Sequence, residues 1–200
     1  MISTMYKSGV LLFSFCILAG CGPSGTDVVS HEIEKGTEAK KEEKRYTIAK
    51  SHFKVWKEAI AQTLELGEAM PEDQYAFKPH DSIRTFAEQL VHIAASSKTL
   101  ANLYLKDIPR PENRTEHDAN TLSKEEVLAL VKTNLEEVGE MIKQMDDEQL
   151  MGEEVQSFAG NPMLRLHGMM FIYDHLTNHR AKANLYMRVS GNEPPKYRYN

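Results

Sequence analysis

His175 and His179 stand four residues apart in the run YDHLTNHRAKANLY. On a helix that spacing puts both imidazoles on one face, one turn apart, within reach of a single metal ion. The chain holds eight histidines, so such a pair also arises by chance. A third, His92, lies in SIRTFAEQLVHIAAS. There Leu90 and Ile93 point inward, and Thr85, Gln89, His92 and Ser96 form a polar strip beside them. A strip bordering a core face is either a solvated edge or the wall of a pocket. Taken alone, His92 reads as a satisfied edge residue before it reads as a ligand. Cysteine chemistry is nearly absent. Only Cys16 and Cys21 occur, which excludes a disulfide framework and a Cys-rich zinc site. If Cys16 is removed with a signal peptide and Cys21 carries lipid, any nucleophile or metal ligand must come from His, Asp, Glu, Ser or Tyr.

Four amphipathic segments must position these side chains. The first runs from about Tyr46 to Met70, with Phe53, Trp56, Ile60, Leu64 and Gly67 on one face and Pro71 as its stop. The second runs from about Ser82 to Leu105, with Asp81 as its cap and Phe86, Leu90, Ile93, Ser97, Leu100 and Tyr104 as its stripe. The third opens at Ser123 with the capping box Ser123-Lys124-Glu125-Glu126. The fourth opens at Asn161-Pro162 and runs to about Ser190, with Gly191 just beyond its end. No repeat and no convincing strand alternation occurs. The pattern predicts an all-α four-helix bundle. Lys106 to Leu122 separates segments two and three. Such a connection can reach roughly 55–60 Å, ample to return along a bundle of about 35 Å. It predicts a long crossover with helices two and three parallel. The connection from about Asp146 to Gly160 is also long, and Phe158 is expected to pack over one end of the bundle.

The N-terminus sets the compartment. Lys7 precedes an apolar stretch from Gly9 to Ala19, too short for a comfortable transmembrane helix. It ends in Leu18-Ala19-Gly20-Cys21, which resembles the lipobox of bacterial lipoproteins. That resemblance implies a signal peptide over 1–20, acylation of Cys21, and a mature chain held to the membrane by a lipid anchor. The mature charge would be −6 (23 minus 29), because Lys7 leaves and no acid does. Residues 21–45 are rich in Gly, Ser and mixed charge and read as a flexible linker, with His31 incidental. Residues 46–200 form the domain. The expected location is the cell envelope, outside the cytoplasm; Gly22 after the cysteine looks like an outer-membrane address in a Gram-negative cell. The formal charge of −5 argues against nucleic acid as a partner.

The pieces LELGEAMPEDQYAFKP, SIRTFAEQLVHIAAS, DHLTNHR and YMRVSGNEPPKY follow one another across nearly the whole domain. In this order the sequence resembles the DinB-like superfamily of four-helix bundles. The resemblance implies an up-down-down-up bundle. It also implies a divalent metal held by one histidine of helix two and the HxxxH pair of helix four, roles that fall on His92, His175 and His179. The frequent family run HHRGQL is altered here: Asn178 stands where an adjacent histidine is common, and Ala181-Lys182 replaces Gly-Gln. The ligand positions are intact.

Three neutral nitrogens leave a coordination position open, the pattern of a catalytic site. Zinc is the usual default for imidazole ligands, with nickel and iron(II) as alternatives. The first functional reading is a metal-dependent enzyme of hydrolase or thiol-transferase type acting on a small molecule. The alternative is a non-catalytic metal- or ligand-binding envelope lipoprotein. A haem bundle is weaker, because one member of the His pair would be redundant. Thiol transfer with low-molecular-weight thiols, as in relatives, fits poorly outside the cytoplasm. Gln89 and Ser96 are candidates to line the pocket. Asp174 and Asn178 read as solvated before they read as partners of an imidazole. Tyr173 and Tyr186 are expected to pack, His167 to be structural, and His52, His80 and His117 to lie on the surface or in loops. A homodimer is common in the family.

Overall fold

The computed structural model describes residues 47–113 and 116–199. The expected signal peptide, Cys21 and the linker lie outside the described residues. The described chain is mostly helical. Helix α1 spans Ile48–Ala69, capped by Thr47, whose side chain accepts from the Lys50 amide. Met70-Pro71 ends it, as predicted. Its buried face is Trp56, Ala59, Thr63, Leu66 and Met70, while Phe53, Ile60 and Leu64 are half-buried. The predicted stripe is therefore rotated towards one edge. The reason is that α1 packs on two neighbours, which widens its buried face. Trp56 closes one contact by donating from Nε1 to the Leu135 carbonyl at 2.8 Å.

Helix α2 spans Phe86–Leu105. Its cap is Thr85, not Asp81, and its start lies four residues after the predicted Ser82. Thr85 and Glu88 form a full capping box. The first-turn amides of Phe86 and Ala87 are also taken by the Phe77 and Tyr75 carbonyls, which pins the entry. Helix α2 is buried on most of its circumference, including Gln89, His92 and Ser96. The polar strip read from the sequence is thus interior.

Helix α3 spans Lys124–Lys143 with the Ser123/Glu126 box that the spacing predicts. A short helix α4, Asp147–Gly152, follows. Strand β1 (Glu154–Gln156) then pairs antiparallel with β2 (Pro162–Leu164), in the register Glu154↔Leu164 and Gln156↔Pro162. Gly160 turns the hairpin at φ 77°, a left-handed conformation that glycine adopts without strain. The sequence reading expected no strand and a helix from Asn161-Pro162. Instead, Pro162 sits at the end of a three-residue ladder, where its missing N–H costs little. Helix α5 spans Arg165–Val189, and Gly191 follows it at φ 88°, as its placement predicted.

Contacts between helix ends record how the long helices are laid. Lys124 Nζ, at the start of α3, donates to the Glu68 and Met70 carbonyls at the end of α1. Arg165 Nη1, at the start of α5, donates to the Tyr104 carbonyl at the end of α2. Lys106 Nζ reaches Gln144 Oε1, joining the ends of α2 and α3. Asn192 and Ser190, beyond α5, meet the Met70 sulfur beyond α1. Helices α2 and α5 approach closely at Gly168, where an added Cβ would lie 2.8 Å from Tyr104 Cβ. Fully buried Phe86, Leu90, Ile93, Leu135, Met169, Ile172 and Leu176 fill the interior. No described helix is long and apolar enough to cross a membrane.

Candidate metal centre

Helices α2 and α5 face each other, and their polar positions meet inside the contact. His92 on α2 and His179 on α5 are each 7% exposed; His175, one turn before His179, is half-buried. The ring centroids of His92 and His179 are 4.4 Å apart, those of His175 and His179 are 4.6 Å apart, and those of His92 and His175 are 5.4 Å apart. Each residue offers one ligand atom, and these atoms all lie within 4.8 Å of one another. Three histidines so placed could hold a metal ion.

Oxygen partners hold each ring by Nδ1. His179 Nδ1 lies 2.8 Å from Gln89 Oε1. Gln89 is itself fixed, because its Nε2 donates to the Tyr186 hydroxyl at 3.0 Å. His92 Nδ1 lies 2.7 Å from Glu116 Oε1. His175 Nδ1 lies 3.3 Å from Ser96 Oγ, whose hydroxyl hydrogen is spent on the His92 carbonyl. An amide oxygen, a carboxylate and a hydroxyl lone pair all accept, so each Nδ1 carries the hydrogen. With the hydrogen on Nδ1, Nε2 is the atom each ring could offer a metal ion, and such partners orient and strengthen imidazole ligands. Burial pushes the His179 pKa down to about 3, and the neighbouring His92 and His175 add to the effect. Neutral imidazole is the form that binds a metal.

Both pocket candidates of the sequence reading, Gln89 and Ser96, therefore touch the histidines. Asp174 and Asn178 are exposed, in keeping with the solvated reading. Tyr186 packs, as expected, and also anchors Gln89. It lies two turns from His179, a spacing that puts it on the same face. Glu116 went unread: it comes from the irregular connection between α2 and α3, where no periodicity marks it. His80 and His117 are exposed loop residues, and His167 is exposed on α5. His52 departs from its surface assignment. It lies on α1, half-buried and edge-on to Tyr173 at 5.8 Å, and burial lowers its pKa. Phe158 packs at one end of the bundle, as expected, edge to face against Tyr104 and Phe171, while remaining 50% exposed.

Comparison with known proteins gives one consistent picture. The DinB family model matches residues 39–200. An uncharacterized protein of Bacillus subtilis, YjoA, is 26% identical over 137 residues, covering 68% of this chain and 86% of that protein. Two solved structures share the fold. A DinB-like protein from Bacillus cereus aligns with TM-score 0.62 at 16% identity, over 76% of this chain and 98% of that one. The DinB-like protein YjoA aligns with TM-score 0.59 at 21% identity, over 75% and 99%.

Proposed function

We propose a function from the premise that this chain belongs to the DinB family: it binds a divalent metal through His92, His175 and His179 and uses that metal in an enzymatic reaction on a small molecule. One observation carries this reading. Three imidazoles from two helices converge, and each Nδ1 is held by an oxygen that turns Nε2 to the ligand role. The donor set fits zinc best, with nickel and iron(II) as alternatives. With three protein ligands, such an ion would supply Lewis-acid chemistry through its remaining coordination position. The chain's own groups do the positioning. Gln89 and Tyr186 fix the His179 ring, Glu116 accepts a hydrogen bond from His92 Nδ1, and Ser96 seats His175. Burial keeps His179 neutral at physiological pH and excludes water from that side of the site.

The contacts between helix ends support an up-down-down-up bundle of α1, α2, α3 and α5, with the crossover between α2 and α3. We further propose that the domain works at the cell envelope, tethered through acylated Cys21 and the 21–45 linker. The support is the lipobox-like ending of residues 18–21.

Elemental analysis of the protein from its native envelope tests the metal. About one zinc, nickel or iron per chain is expected. His179→Ala should lose most of it with helicity unchanged. Equal metal content in wild type and in the His92, His175 and His179 alanine variants would refute the site. Turnover of an activated ester or a thiol–acceptor pair separates an enzyme from a binder.

A further inference from the structure

On the face of α5 opposite the histidines lies a second cleft, of about 590 Å³. That size is within the range of small-molecule sites. Its outer wall is the segment after α5. Arg198 clamps this segment to α1 by a bidentate pair with Glu65, at 2.6 and 2.7 Å, and Gln62 Nε2 donates to the Arg198 carbonyl at 2.8 Å. Arg180 lines the cleft and is only 7% exposed. Its hydrogen-bond partners are neutral: the Ala59 carbonyl at 3.2 Å and the Tyr173 hydroxyl. No ion pair among the described residues includes it, unlike buried Arg165, which meets Asp107 and Glu153. A buried guanidinium with five donors and no carboxylate is a costly arrangement. Arg188 and Lys196 stand at the rim against a single acid, Glu193. Leu66, Pro194, Pro195 and the Tyr197 ring supply an apolar wall.

We propose that this cleft binds the carboxylate of a small organic acid, with Arg180 taking the carboxylate and the Leu66, Pro194 and Tyr197 wall taking the apolar body. The planar guanidinium fork matches a carboxylate, and the apolar wall selects an organic acid over an inorganic ion.

Calorimetric titration of the full chain with benzoate tests this, with inorganic phosphate and acetate as comparison probes. Saturable one-to-one benzoate binding is expected, tighter than acetate by about tenfold for the buried ring. Arg180→Met should abolish it. Since that variant could fail to fold, the exposed rim variants Arg188→Glu and Lys196→Glu carry the test independently. Each should weaken benzoate by about three- to tenfold, while the charge-matched control Lys50→Glu leaves it unchanged. Metal content should be the same with and without benzoate, and His179→Ala should still bind it. Absence of saturable binding, phosphate binding as tight as benzoate, rim variants equal to wild type, or loss of benzoate binding in folded His179→Ala would each overturn the proposal.

Discussion

Glu116→Ala should weaken metal binding about 10- to 100-fold while leaving the fold intact. The carboxylate lies 2.7 Å from His92 Nδ1, and its side chain is 28% exposed. Across the imidazole, an ion on Nε2 would sit about 6–7 Å from that oxygen, using ordinary ring and metal–nitrogen lengths. A single charge and a divalent ion at that distance attract by about 5 kcal/mol at an effective dielectric of 20, and by about 1.3 kcal/mol in bulk water. Partial exposure places Glu116 between these limits and nearer the lower one. A loss of about 1.5–3 kcal/mol corresponds to about 10- to 100-fold, the usual cost of removing a group that orients a metal ligand. Glu116→Gln keeps an accepting oxygen and loses the charge, so it should fall between wild type and alanine. Zinc affinity is read by competition with a chromophoric chelator at pH 7.5, with circular dichroism to monitor helicity. If Glu116→Ala binds zinc as tightly as wild type, the carboxylate does not position His92 and the reasoning fails. A larger loss in the glutamine than in the alanine variant would refute the charge argument specifically.

Gly168→Ala should destabilise the protein by about 1–3 kcal/mol, because the new methyl meets Tyr104 where α2 and α5 touch. Urea unfolding reads this, and an unchanged midpoint would show that the helices separate freely there. For the metal-free protein, acidification should reduce stability between about pH 6.5 and 3. The unfolded imidazole of residue 179 protonates near its ordinary value, about 6.5, while in the folded chain burial holds protonation off to about 3. Protons therefore favour the unfolded state through that window, and buried His52 adds in the same direction. Unfolding midpoints at pH 7, 5 and 4 test this: the fall should be shallower in His179→Gln, and equal slopes would contradict it.

Much of the helical content was legible because amphipathic spacing and caps are local. The Ser123/Glu126 box, the Pro71 stop and the Gly191 ending each follow from a few adjacent residues. The i,i+4 spacing of His175 and His179 placed both on one face for the same reason. Starts governed by distant partners were not legible. Helix α5 begins at Arg165 because Pro162–Leu164 pairs with a strand eight residues back, whereas the α2 start carried a local signal, the Thr85/Glu88 capping box, that the choice of Asp81 passed over.

Sequence alone placed three histidines on two helices and showed the resemblance to the DinB-like superfamily. Whether His92 was an edge residue or faced the pair depended on how α2 packs on α5, which no local pattern encodes. Tertiary structure also decided which oxygen holds each ring. Glu116 arrives from the irregular α2–α3 connection and Gln89 from the facing helix, across 24 and 90 residues of chain. A hydrogen bond of under 3 Å between such distant residues exists only once the interior has closed, so it leaves no periodic trace in the order of amino acids.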